Sequence, residues 1–239
     1  MKISVLVPCY NAARYLAEAL ESVFAQGIPL HEVIVVDDGS TDETKSVVAA
    51  FAERVQYHRQ THAGISCARN KALELSSGEL IAFLDADDLW PHGSLEARLE
   101  ALHADGSLDY VYGNVEQFIS PDLSREWTRR HATAALTASP ARMAGSMLVR
   151  RRAFNRVGGF SAALCIGETL DWVARADSLN LRSRCLPLLV LRRRLHTTNT
   201  GLTQQDRRPD YLAVARAALA RKRHAGNDAL AAPEAAEGR

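Results

Sequence analysis

Leu80-Ile-Ala-Phe-Leu-Asp-Ala-Asp-Asp88 decides how the first half of the chain folds. Leu80 to Leu84 is an apolar run of strand length, and it stops on a cluster of carboxylates. Apolar runs closed by a polar cluster occur twice upstream. Lys2 to Val7 is rich in β-branched residues and ends at Pro8, which cannot donate to a sheet ladder; Pro8-Cys9-Tyr10-Asn11 follows it. Glu32 to Val36 is followed by Asp37-Asp38-Gly39-Ser40, and Val55 to His58 reads as one more strand. Helical spacings lie between the runs. Ala12 to Gln26 carries Leu16, Ala19, Leu20, Val23 and Phe24 and is closed by Gly27; Ile65 to Leu75 is another helix. Ser40 and Glu43 have capping-box spacing, which predicts a helix starting there. Strands alternating with helices predict an α/β fold with a mostly parallel sheet flanked by helices.

After Pro91 the rhythm changes. Leu95 to Leu102 has helical spacing, and Leu108 to Ile119 alternates as a strand does. Residues 120–145 have no clear period and read as a loop region. Met147 to Val157 is apolar around an Arg150-Arg151-Arg152 run, and Gly158-Gly159 marks a turn. Ile166 to Leu179 is predicted as a helix, Leu186 to Leu191 as a strand, and Asp210 to Arg223 as an amphipathic helix with a basic face. From Ala225 the chain is Ala-, Glu- and Gly-rich and is expected to fray.

Bulk properties set limits on function. The 239 residues suffice for one substantial core. A net charge of +1 gives no reason to expect a nucleic-acid partner. Cys9, Cys67, Cys165 and Cys185 form no CxxC pair, so reduced thiols are expected. No apolar stretch approaches the roughly 20 residues that span a bilayer. A cytoplasmic setting is the default expectation.

Ligands in open parallel sheets bind outside the carboxyl ends of the strands. Two such ends here are acidic, Asp37-Asp38 and Asp85-Ala86-Asp87-Asp88. Carboxylates gathered at one sheet edge repel unless a cation or donor groups compensate. There is no GxGxxG or GxxxxGK[ST], so a bound nucleotide would lack a Gly-rich amide cradle. A divalent ion, Mg²⁺ or Mn²⁺, held by carboxylates would supply that neutralisation instead.

Four segments resemble the family 2 glycosyltransferases of GT-A fold. They are Ser4-Val-Leu-Val-Pro-Cys-Tyr-Asn11, Val33-Ile-Val-Val-Asp-Asp-Gly-Ser-Thr-Asp42, Gly64-Ile-Ser-Cys-Ala-Arg-Asn70 and Gly78-Glu-Leu-Ile-Ala-Phe-Leu-Asp-Ala-Asp-Asp88. Each alone is modest; four in this order are specific. The resemblance is strong over residues 2–90 and weaker over 145–200. It implies a Rossmann-like sheet with residues 1–90 as the nucleotide-sugar-binding half, and residues 91–204 as the acceptor half. The C-terminal helix, 205–224, and a flexible tail, 225–239, would follow.

The resemblance also implies roles. Pro8, Tyr10 and Asn11 would line the donor pocket. Asp38 would accept from a base ring N–H, as in uracil, with Asp37 beside it. Arg69 would close over the nucleotide. Asp87 would sit near the ribose or the metal, and Asp85 or Asp88 would ligate the ion. The weaker match, Gly158-Gly159-Phe160 and Gly167-Glu168-Thr169-Leu170-Asp171-Trp172, would hold the general base. Glu168 is the first choice and Asp171 the second, because Thr169 stands where a second acid is common. His196, in Arg194-Leu-His-Thr-Thr-Asn199, would approach the metal or the diphosphate. Arg192, Arg193 and Arg194 either steer an anionic substrate or line a solvated strand edge.

The implied activity is metal-dependent, inverting transfer of a sugar from a UDP-linked donor to a hydroxyl of a glycan, lipid-linked or other acceptor. The alternatives are a non-catalytic nucleotide-sugar-binding protein, motivated by Thr169, and a nucleotidyltransferase, disfavoured because Pro8-Cys9-Tyr10-Asn11 holds neither glycine nor base. The basic helix offers either a membrane contact at the inner face or an apolar face, Leu212, Val214, Ala215, Ala218 and Leu219, that packs on the domain. Packing is the favoured expectation, since the helix has no Trp or Phe to anchor it.

Overall fold

The structure, a computed structural model, describes residues 1–131, 137–199 and 208–230. The apolar runs of the first half become parallel strands. β1 (Ile3–Cys9) pairs with β2 (Glu32–Asp37) on one side and β4 (Leu80–Phe83) on the other, and β3 (Gln56–Arg59) lies outside β2. Every residue of β1 is buried. Its side chains alternate between two cores. Val5 and Val7 join Leu16, Leu20 and Leu95 on one face; Leu6 joins Ile34, Phe83 and Trp172 on the other. Burial on both faces is why this strand reads as continuous apolar sequence rather than as alternation.

The second half extends the same sheet through β5 (Tyr110–Ile119), β6 (Ser139–Pro140), β7 (Leu148–Arg150) and β8 (Ser183–Leu195). The order is β3-β2-β1-β4-β7-β5-β6, with β8 paired to β5. Short β7 is antiparallel to both β4 and β5, so β5 points the same way as β4, and β8 runs parallel to β5. The expectation of a mostly parallel sheet holds. An antiparallel bridge between Leu89 and Arg192 ties the acidic segment after β4 to the end of β8.

Helices α1 (Leu16–Phe24), α2 (Thr44–Ala49), α3 (Ile65–Leu75), α4 (Ser94–Ala104), α5 (Arg125–His131), α6 (Arg151–Val157), α7 (Glu168–Ser178) and α8 (Arg208–Leu230) complete the chain. Several differ from the sequence reading. Ser40 does not cap a helix. Its hydroxyl accepts the Asn11 N–H at 2.9 Å, and α2 starts only at Thr44. Part of the expected loop at 120–145 forms α5, β6 and a 3₁₀ turn at Ala144–Ser146; residues 132–136 lie outside the described residues. Helix α8 continues past the point where fraying was expected, and 231–239 lie outside the description. It packs on α7 through only part of the predicted face: Val214 is buried, whereas Leu212 and Leu219 are 59% and 57% exposed. Among the described residues no helix is long and apolar enough to cross a membrane.

Candidate active site

The carboxyl ends of β1, β2 and β4 form one polar shelf. At the end of β2, Asp37 is buried, accepts the Ser40 N–H at 2.8 Å and takes the Tyr57 hydroxyl at 2.6 Å. Burial, then the hydrogen bond to the Asp37 carboxylate and its charge, pushes the Tyr57 phenol up out of its usual range. Asp37 therefore fastens the turn that presents Asp38. Asp38 is also buried, and the loop after β3 surrounds it. Oδ1 accepts the Ala63 N–H at 2.9 Å and the Gln60 amide at 2.7 Å; Oδ2 accepts the Gly64 N–H at 2.8 Å and lies 2.9 Å from His62 Nδ1. Gly39 makes this packing feasible. It sits at φ +85°, and a Cβ there would come within 2.9 Å of the His62 nitrogen. Tyr10, 47% exposed, stacks on the His62 ring with centroids 4.2 Å apart. Asn11 adopts positive φ and uses its side-chain oxygen to accept the Thr41 N–H, so it shapes the turn beside Tyr10.

The acidic segment after β4 is divided by exposure. Asp85 and Asp87 side chains are each 30% exposed, while Asp88 is buried and accepts the Arg194 N–H at 2.9 Å. Burial, then the neighbouring Asp87 and Asp85 charges, hold the Asp88 carboxyl well above the ordinary aspartate range. His196, at the end of β8, is buried and brings Nε2 to 2.8 Å from Asp87 Oδ2; Asn199 reaches the same oxygen at 3.3 Å. Thr198 meets the other ring nitrogen of His196 at 2.9 Å, which fixes the ring plane. The sheet thus unites Asp87 and His196 from distant sequence. Arg194 is no steering charge: its guanidinium is buried, bonded to Glu18 and to the Asp87 carbonyl. Arg192 pairs with Glu116 at 3.5 Å and lies over the Phe118 ring.

Arg69 connects this shelf to the start of α7. Its guanidinium is buried, donates to Asp85 Oδ1 at 2.6 Å, and also bonds Glu168 at the start of α7. Thr169 adds its hydroxyl at 3.3 Å, and the Arg69 Nε finds no partner among the described residues. Burial pushes the Glu168 carboxyl up, but the Arg69 charge and hydrogen bonds from its own N–H and from Thr169 outweigh this, so Glu168 is held below its usual range. Asp171 has a different setting: Arg175 holds one oxygen at 2.8 Å and Arg221, from α8, the other at 3.3 Å. Gly167, at φ +80°, opens α7, and Tyr211 of α8 packs where its Cβ would stand.

The structure thus brings Tyr10, Asn11, Asp37 and Asp38 to one end of the shelf, and Asp85, Asp87, His196, Arg69 and Glu168 to the other. Pro8 lies within buried β1. The sequence reading missed His62, Asn199 and Glu18. A lone histidine two residues before the recognised segment that starts at Gly64 was the available signal for His62.

No three or more His, Cys, Asp or Glu side chains close into a preformed metal cage among the described residues. The donor set nonetheless fits an ion that brings most of its own ligands. One carboxylate facing one imidazole, with the part-exposed Asp85 nearby, suits Mn²⁺ or Mg²⁺ bound chiefly through phosphates and water.

The family model described as "Glycosyl transferase family 2" matches residues 4–165. The chain is 35% identical over 116 residues to the Escherichia coli UDP-Glc:alpha-D-GlcNAc-diphosphoundecaprenol beta-1,3-glucosyltransferase WfgD, covering 48% of this chain and 46% of that one. It is 37% identical over 120 residues to the Streptococcus pneumoniae glycosyltransferase GlyA, covering 49% of this chain and 17% of that one. The chain therefore spans less than half the length of these curated relatives. In structure it is similar to Staphylococcus aureus TarS residues 1–349 in complex with UDP-GlcNAc. The TM-score is 0.73 at 23% identity, over 92% of this chain and 66% of that one, which shows the GT-A fold. The mannosyltransferase PcManGT of Pyrobaculum calidifontis, in complex with GDP-Man and Mn²⁺, gives 0.60 at 25% identity over 79% of this chain and 56% of that one.

Proposed function

Because this chain belongs to glycosyl transferase family 2, we propose that it moves a sugar from a UDP-linked donor to an acceptor hydroxyl with inversion at the anomeric carbon. The observation that carries this reading is the Asp85–Arg69–Glu168 bridge, which joins a donor-side carboxylate to an acceptor-side acid through one buried cation.

The donor base stacks on Tyr10 and gives its ring N–H to Asp38. The diphosphate lies toward Asp85 and Asp87. Asp87 and His196, with Asp85, would hold Mn²⁺ or Mg²⁺, which supplies positive charge opposite the leaving diphosphate. Arg69, whose Nε has no partner among the described residues, adds a cation there. Glu168 takes the proton from the acceptor hydroxyl as its oxygen forms the bond to the anomeric carbon, and the nucleoside diphosphate departs with the electrons of the old bond. A glutamate paired with arginine is charged at neutral pH and so ready to accept that proton, but it is a weak base. Moving the arginine toward the donor phosphates raises its basicity when both substrates are present. Asp88, buried under the segment, holds the end of β8 in place.

The acceptor is a glycan or lipid-linked sugar, by analogy with the substrate named for the E. coli relative. The exposed Leu212 and Leu219 with Arg216 on α8 support contact with an anionic bilayer, which flotation with such vesicles checks. The test of the main reading is a thermal-shift and UDP-release panel of UDP-linked sugars with Mn²⁺. A raised melting temperature and UDP release are expected from at least one sugar. Shifts with bare binding and no turnover favour a non-catalytic binder; no shift with any donor rejects the reading.

A further inference from the structure

Resting on that donor-site reading, the geometry points to His62 as a built-in placeholder for the nucleobase, one that the donor must displace. The imidazole reproduces both contacts assigned to the base. It lies flat on Tyr10, with centroids 4.2 Å apart and planes 28° from parallel. It also places ring Nδ1 2.9 Å from Asp38 Oδ2 and 3.0 Å from the Asp38 carbonyl. A ring N–H directed at that carboxylate over a stacked aromatic is the arrangement that uracil, through N3–H, would make.

Hydrogen-bond accounting at Asp38 isolates this contact. Two of its donors are backbone N–H groups, of Ala63 and Gly64, and a third is the Gln60 amide. The backbone donors stay, because the loop is pressed against Gly39 and cannot recede without losing that packing. Only His62 combines a ring, a donor at Oδ2 and a side chain that is 56% exposed. Turning the imidazole outward about its side-chain torsion frees one acceptor direction on Oδ2 and the face of Tyr10 together. A closed site whose competent form is a fraction of the population binds its ligand more weakly by that fraction. His62 therefore lowers donor affinity and keeps the Tyr10 face covered when no nucleotide is bound.

The alternative geometry is that His62 stays and forms a second wall, with the base sandwiched between it and Tyr10. The two have opposite consequences. Titration calorimetry of the full chain with UDP and with CDP, in Mn²⁺, separates them. Cytosine N3 carries no proton to give Asp38. A stacked aromatic pair of this kind corresponds to about two- to tenfold in an equilibrium constant. His62→Ala and His62→Asn are expected to tighten UDP by about that factor, and CDP by less. Two variants guard against one that folds poorly, with the melting curve as control. If either folded variant binds UDP no more tightly than the parent, or more weakly, the placeholder is wrong. Tyr10→Ala decides the underlying reading separately. It should weaken UDP; if it does not, the base does not bind here and the donor-site assignment itself falls.

Discussion

Asp38 and Glu168 are both buried carboxylates in the proposed site, and they are held in opposite ways. Asp38 is held by two backbone N–H groups of the loop after β3, with the Gln60 amide and the His62 ring beside them, at the end of a strand fixed on both sides by parallel neighbours. Glu168 is held by side chains, principally Arg69 from another helix. Backbone donors cannot change partner without unfolding the turn, whereas an arginine can exchange one anion for another. The donor end is thus set in advance by the sheet, and the acceptor end is set by charges free to re-pair when an anionic substrate arrives.

The sharpest way to break this contrast is to remove the proposed base. Glu168→Gln should reduce sugar transfer by about 10²–10⁴-fold with UDP affinity nearly unchanged. Asp171→Asn, already neutralised by Arg175 and Arg221, should lose less than about tenfold. Rates at saturating acceptor decide; the reverse order would make Asp171 the base.

A smaller effect sharpens the metal side. His196→Ala should weaken Mn²⁺-dependent UDP binding by about 10–100-fold, whereas binding measured in EDTA should be the same for both proteins. Equal affinity of the parent protein in EDTA and Mn²⁺ would remove the ion from the account.

The pH dependence tests the cause of the Glu168 shift. Arg69 and two hydrogen bonds lower its carboxyl against burial, so activity that needs the carboxylate is lost only as pH falls below the usual glutamate range. In Arg69→Met the burial effect remains without its counterweight. The acid limb of kcat/KM should move to higher pH; an unmoved limb means that Glu168 does not carry it.

The smallest expected effect concerns Asp88. Asp88→Asn keeps an acceptor for the Arg194 N–H and should melt near the parent, whereas Asp88→Ala should cost about 1–3 kcal/mol. Equal melting of the two would show that this bond contributes little.

Much of the donor half was legible because buried parallel strands announce themselves as apolar runs, and β1, β2 and β4 fall where the runs predicted. The strand β8 was read as Leu186 to Leu191, yet it runs from Ser183 to Leu195, because three arginines disguise its end. Arg194 is tolerated in that buried position because Glu18 meets its charge from α1 and the Asp87 carbonyl takes its Nε–H, the first a pairing across 176 residues that no local pattern encodes. The same holds for Arg69 and Glu168, 99 residues apart. Each residue was a candidate on its own, but their contact depends on how α3 and α7 pack. The family match itself ends at residue 165, before Glu168, so the base rests on geometry more than on likeness.

The central claim is that donor and acceptor sides act as one unit through Arg69. A double-mutant cycle of Arg69→Met and Glu168→Gln, read as the transfer rate at saturating donor and acceptor, tests it most directly. If the pair works together, the double variant should be scarcely slower than the slower single variant. If the two losses multiply, Arg69 and Glu168 act independently and the bridge is only structural.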